Sequence, residues 1–370
     1  MAIQIKPYTP DLVSSVRAFN ARLKAGGATE HFPEREDLKW PRAADSAIYK
    51  EYCLAIENNA VVRGGYVLQH QEFSFNGEIL PVAFLQFPLS EGIVNKSYSL
   101  VGIRLLTNAL KTQPLLFALG MGGFDQPLPR MLKTMGWPMV AVPFYFKVNH
   151  PRRFLKNIVP LRRTRLQRIV ADVTANSGLG WSGVKLLHAL RRKGVHHRHA
   201  VVESVGEFSQ WADELWNRCR SKYPMIAVRN GPILNRLYPS DQAKFLRLKI
   251  TENGRVVGWC VALDTAMSNH NYFGDMRVGS IIDCLALPDE APKVIEAATK
   301  FLQNRGVDLI VSNQSHDAWR SALGNAGFLK GPSNFIFAAS KALANKLDPF
   351  DAKKEIVHLN RGDGDGPIHL

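Results

Sequence analysis

The sequence predicts an α/β (α+β) protein of two tandem units, each a mixed central β-sheet flanked by helices. Size is the first reason: 370 residues, 46% hydrophobic and 21% charged, suffice for two globular cores. The second is an internal echo. Glu57, Asn58, Val61, Val62, Gly65 and Tyr66 recur as Glu252, Asn253, Val256, Val257, Gly258 and Trp259. The third is spacing. Both halves later place Gly plus an aromatic after a helical stretch (Gly136, Trp137; Gly327, Phe328), 71 residues after Gly65 and 69 after Gly258.

The elements follow in order. A strand over 3–8 is broken by Pro10, and a helix runs from an Asp11 cap to Gly26 and Gly27. Residues around 57–66 read as a hairpin turned by Asn. Then come a strand (LPVAFLQFPL), a helix over 98–111, a strand (LLFALG), a helix (PLPRMLKTMGW) and a closing strand (VPFYFKV). The second half repeats this with a helix (EFSQWADELWNRCRS), a hairpin, a strand (GSIIDCLAL) and a helix over 290–305. A strand (DLIVSN), a helix (DAWRSALGNAGF) and a closing strand (NFIFAAS) complete it. Antiparallel hairpins followed by βαβ crossovers make each sheet mixed. The glycines at 136 and 327 suit left-handed helix caps. These limits divide the chain into a first unit (1–150), a basic connector (151–200), a second unit (201–346) and a tail (347–370).

The N-terminus lacks an apolar secretory region, and no run of 18 apolar residues spans a bilayer. Cys53, Cys219, Cys260 and Cys284 are scattered without CxxC pairing. That suits a reducing, cytoplasmic setting and argues against structural zinc. Of the net charge of +15, residues 151–200 contribute +11: twelve Lys or Arg against Asp172 alone. Apolar residues at near-helical spacing alternate with these arginines. An anionic membrane surface, nucleic acid and a solvated interdomain brace are the competing uses, and the scarcity of aromatics argues against nucleic acid. His188, His196, His197 and His199 lack metal-ligand spacing, so no metal is expected.

The element order resembles the GNAT superfamily of acyl-CoA N-acyltransferases. The stretch IAVRNGPILNRLYP, 226–239, is similar to an Arg-Asp-x-x-x-Leu-Asn-x-x-Tyr signature in tandem GNAT proteins of bacterial envelope polysaccharide clusters. Arg229, Leu234, Asn235 and Tyr238 match it, and Asn230 stands where Asp is usual. The resemblance implies acyl-CoA as donor and an amine acceptor, such as an amino sugar or lipid-linked glycan precursor at the inner membrane face. Peptidoglycan-bridge aminoacyl transferases share the tandem design and use aminoacyl-tRNA. A catalytically silent binder of anionic lipid or glycan is the alternative from a different class.

A GNAT diphosphate loop normally reads Arg/Gln-x-x-Gly-x-Gly/Ala, which lets backbone N–H groups at a helix start hold the phosphates. In unit one the nearest match keeps Gly102 with Arg104, and Asn95, Lys96, Ser97 and Tyr98 precede it. In unit two PDEAPKVIE is acidic. The donor is therefore placed in unit one. As proton acceptors the candidates are Glu91, which follows an apolar strand, and Asp283, which interrupts one. Glu91 alternatively serves its loop or helix dipole. Asp283 alternatively pairs with Arg229 or Arg277, because a lone buried carboxylate is costly. Asn313, Ser315 and His316 end a strand and form a ligand-facing rim, or Ser315 simply caps the next helix. With Arg229, Asn235 and Tyr238 they make the expected acceptor set. Gly120, Met121, Gly122 and Gly123 lack the full GxGxxG of a dinucleotide site and read as a backbone loop near donor or acceptor.

Overall fold

Residues 3–34, 47–162 and 200–365 are described by the computed structural model of the chain, and they form two compact units. The first gathers residues within 1–73, 78–141 and 334–352; the second gathers those within 74–77, 142–333 and 353–370. Each is a mixed sheet with flanking helices, the predicted fold class.

In unit 1 the sheet runs β1 (Ile3–Pro7), β2 (Ile48–Glu57), β3 (Val61–Phe75), β4 (Glu78–Ser90), β5 (Leu116–Gly120), the strand Ile336–Ala339, and β6 (Met139–Ala141). Asn58 and Asn59, then Asn76 with Gly77, take the positive φ that tight hairpins of this twist require. Helix Val13–Ala25 buries Val13, Val16, Phe19 and Leu23, a stripe of period near 3.6, in a core with Leu54 and Val67. Helix Val101–Thr112 packs Val101, Leu105 and Leu106 in a second core with Tyr66, Leu85 and Leu116.

Unit 2 takes β7 (Phe144–Val148), β8 (Ala200–Ser204) and the short β9 (Ile226–Ala227). β10 (Leu246–Glu252), β11 (Arg255–Ala266), β12 (Arg277–Ala286), β13 (Leu309–Asn313) and β14 (Leu329–Gly331) follow. Its sheet order is β14-β7-β13-β12-β11-β10-β8. Helix Ala291–Asn304 buries Val294, Ile295, Ala298 and Leu302.

Both helix caps form as the sequence implies. Gly136 (φ 77°) and Gly327 (φ 85°) are left-handed, and the following Trp137 and Phe328 donate back to Leu132 O and Leu323 O at 3.0 Å. The closing strands have exchanged partners. β7, expected to end the first unit, runs antiparallel to β13, and Ile336–Ala339 runs antiparallel to β5. Alternation makes each segment a strand, but nothing in it chooses which of two similar sheet edges it joins. Asp11 is likewise no helix cap: it sits in a 3-10 turn, Pro10–Leu12, and the helix starts at Val13.

Candidate functional site

In unit 1 the parallel strands β4 and β5 share two rungs, Ala83↔Leu116 and Phe84↔Phe117, and then part. On its opposite edge β5 pairs with Ile336–Ala339 from Phe117 to Gly120, and β4 continues through residues 85–90. Phe87, within that stretch, has φ 47°, a left-handed kink that re-aims the strand. Ala83 donates its N–H to Leu115 O, so alternation aims the Leu85 N–H into the gap. At the far side of the gap β5 ends in Gly120, Met121, Gly122 and Gly123, all with positive φ; a Cβ on Gly123 would meet nothing within 4 Å.

The rim of this gap is acidic inside and basic outside. Glu91 is buried, and its carboxylate accepts from Arg63 Nη1 at 2.9 Å and Arg22 Nε at 3.1 Å. Arg63 also binds Glu57, and its guanidinium lies 4.2 Å from the centre of the Tyr98 ring. Tyr98 in turn donates to Glu57 at 3.4 Å. Asn95 caps the turn through the Ser97 N–H, whereas Lys96, Ser97 and Arg104 face solvent. Gly102 lies in the first turn of helix Val101–Thr112; a Cβ there would sit 3.5 Å from Ser90 Oγ. Leu100, at 62% exposure, and Ile103 are uncovered beside it.

In unit 2 the equivalent strands, β12 and β13, share four rungs ending at Ile281↔Ser312. The register against β11 slips there, so Val261 faces Asp283 and Ala262 faces Ile281, leaving Ile282 as a bulge. Asp283 follows at 0% exposure. One of its oxygens accepts from Arg229 Nε and Tyr238 OH, each at 2.7 Å; the other accepts from the Cys284 N–H and Asn360 Nδ2, each at 2.9 Å. Arg229 reaches Asp363 with its remaining arm at 2.5 Å. Of the two partners foreseen for Asp283, Arg229 is the real one; Arg277 instead forks onto Asp264 at 2.6 Å. Burial raises the Tyr238 hydroxyl far above its usual range, and Asp283 adds to it. Burial also raises Asp363 to about 6, with Asp283 adding to the rise against the pull of Arg229.

Two of the signature residues, Arg229 and Tyr238, thus meet on Asp283. Asn235 fixes the loop before helix Gln210–Cys219 by exchanging bonds with the Phe208 backbone at 2.8 and 2.9 Å. Asn230, in place of the usual Asp, caps helix Gly231–Leu237 through the Ile233 N–H. At the other rim Asn313 accepts from Arg361 at 3.1 Å, and Ser315 donates to Val357 O at 2.6 Å. Ser315 is therefore not the cap of helix Asp317–Asn325. His316 is, with Nδ1 accepting from the Ala318 N–H. Burial drops His316 to about 4 and lowers His358 strongly, so both rings are neutral at pH 7.

The expected donor residues Asn95, Lys96, Ser97, Tyr98, Gly102 and Arg104 fall in unit 1 with Glu91, and the expected acceptor residues fall in unit 2 with Asp283, of which Arg229 and Tyr238 bond to it directly. Sequence reasoning missed Arg63, Glu57 and the segment around 357–363. The echo carried a signal for the first: Arg63 follows one Val pair and Arg255 precedes the other, and Arg255 pairs with the buried Glu290 in the turn after β12. An open cavity of about 540 Å³, lined by His150, Arg152, Arg153 and Gly306, lies in unit 2 where the basic connector begins. Residues 163–199, including the four connector histidines, lie outside the described residues. Among the described residues no group of three or more His, Cys, Asp or Glu is placed to hold a metal, and no helix is long and apolar enough to cross a membrane.

No protein-family model matches the chain, and no curated protein does. Solved structures do. A GCN5-related N-acetyltransferase from Anabaena variabilis superposes with a TM-score of 0.51 at 10% identity, over 91% of this chain and 72% of that one. Saccharomyces cerevisiae N-myristoyltransferase with bound myristoyl-CoA gives 0.49 at 10% identity, over 92% and 78%. A tandem GNAT protein from the clavulanic acid pathway gives 0.45 at 11% identity, over 91% and 98%. The fold is that of the GCN5-related N-acetyltransferases.

Proposed function

We propose that the chain is an N-acyltransferase that takes acyl-CoA in unit 1 and passes the acyl group to an amine. The observation that carries this reading is the pair β4 and β5, which parts after two rungs beside a helix start bearing Lys96 and Arg104. Such a gap lets a thioester arm lie along the strand edge, where the Leu85 N–H polarises its carbonyl. The two cations, with Asn95, Ser97 and Gly102, meet the diphosphate. A neutral amine attacks the carbonyl carbon; the C–N bond forms, the C–S bond breaks, and the thiolate leaves as CoA. Glu91 is held between two arginines and Asp283 is fully engaged, so both position their surroundings, and the amine's proton passes to water or to the departing sulfur. Tyr98, stacked under Arg63, fixes the loop.

For the acceptor we propose an amino sugar or another envelope precursor, on the likeness of residues 226–239 to the tandem signature. The basic stretch 151–200 would hold the enzyme against anionic lipid at the inner membrane face. Purified protein offered short- to long-chain acyl-CoAs with glucosamine and related amines tests the reading, with thiol release and thermal shift as readouts. CoA binding and turnover are expected. Absence of both binding and turnover across that series would defeat the proposal. One observation favours a silent binder of anionic lipid instead: both post-strand turns hold a buried Glu where phosphate loops have N–H groups. That reading predicts salt-sensitive binding to anionic vesicles and no thiol release.

A further inference from the structure

We infer that unit 2 takes no acyl donor: residues 357–363 of the chain itself fill the gap between β12 and β13, so each chain binds one acyl-CoA, in unit 1. The inference rests on the donor reading above and assigns it to one of two similar folds.

Beyond the rung Ile281↔Ser312, each parted strand of unit 2 is tied to this segment. On the β13 side, the Ser315 N–H donates to Leu359 O at 3.0 Å, and Ser315 Oγ accepts from the Leu359 N–H at 2.8 Å while donating to Val357 O. Gln314 and Asn360 form an antiparallel bridge, and Arg361 donates to Asn313. On the β12 side, Asn360 Nδ2 donates to Asp283, and Arg229 joins Asp283 to Asp363. The segment is also folded on itself: Asn360 and Asp363 close a capping box around the turn Arg361–Asp363. It is part of the interior, with Val357, Leu359, Asn360 and Asp363 all buried.

The fit leaves no space for an arm. A single methyl group on Gly362 would lie 2.7 Å from Asp283 Oδ2. A pantetheine chain would have to evict the segment, taking Asn360 from Asp283, Asp363 from Arg229 and Arg361 from Asn313. Charge opposes it as well. Where unit 1 presents Lys96 and Arg104, the turn Pro288–Glu290 of unit 2 presents the exposed Asp289, which repels a diphosphate.

Two measurements on the full chain decide the matter. Hydrogen exchange without ligand reads the plug alone: the N–H groups of Leu359, Gly362 and Asp363 are expected to exchange as slowly as those of β12. Exchange within seconds at 359–363 would overturn the inference whatever the protein binds. Titration with decanoyl-CoA reads the stoichiometry: one equivalent is expected, weakened tenfold or more by Lys96→Glu with Arg104→Glu, with new protection confined to 85–104. Two equivalents, or loss of protection at 357–363 on adding decanoyl-CoA, would also overturn it. If no decanoyl-CoA binds, the donor reading falls, and slow exchange at 359–363 still supports the plug.

Discussion

Replacing Asp283 by Asn separates a structural from a catalytic carboxylate, because the two parts predict opposite results. All four groups facing Asp283 are donors, two on each oxygen. An amide has one oxygen, so either orientation turns an NH₂ toward a pair of donors. Tyr238 OH and Asn360 can reorient to accept. Arg229 Nε and the Cys284 N–H cannot, and one of them always faces an NH₂. The variant also removes a charge that balances Arg229 in a site without solvent. Breaking one side of such a buried pair costs about 3–5 kcal/mol. For a unit of this size that is a drop of roughly 6–20 °C in Tm. Asp363, then alone with Arg229, loses the neighbour that helps to raise it, so its titration moves down. Scanning calorimetry and urea melts of Asp283→Asn, run beside thiol release, give the answer. Lower Tm with turnover per folded molecule retained is expected. An unchanged Tm with turnover abolished would refute the argument and make Asp283 the proton acceptor.

Three other outcomes follow from the same geometry. Lys96→Glu with Arg104→Glu replaces two exposed cations by anions, so CoA binding should weaken by about tenfold or more, and the difference should shrink in 1 M salt; equal affinity at low salt would remove these residues from the donor site. Burial lowers His316 from 6.5 to about 4 and lowers His358 strongly, so their stabilising share is complete above pH 6.5 and is lost as pH falls below it. Asp363, raised from 3.8 to about 6, acts the other way between those values; with both rings lowered, the urea midpoint should fall from pH 7 to pH 5, and a flat profile would contradict the burial of these rings. Gly327→Ala places a side chain at φ 85° and should cost about 1–2 kcal/mol, read as a lower urea midpoint with an unchanged slope.

Local signals were legible wherever the physics is local. The Asn turns at 58 and 253, the glycine caps at 136 and 327, and the end of the first helix at Gly26 and Gly27 depend on backbone preference. A sequence carries those directly. Duplication was visible for the same reason: equal elements at equal spacing leave equal residue patterns. The paired carboxylates were also findable, since a charge inside an apolar strand such as that around Asp283 must have a partner. Its choice of Arg229, 54 residues away, over Arg277, six away on the same strand, was not, because only the folded chain brings the first to Asp283 and sets the second on Asp264.

What the sequence by itself determined is therefore the list of elements, their duplication and the chemistry available at the ends of the central strands. Only the tertiary structure decided which sheet each closing strand joined, where β4 and β5 part, and that residues 357–363 occupy the gap of unit 2. Those outcomes depend on contacts between residues far apart in the chain, such as Asn360 with Asp283, and no local preference encodes such a pairing.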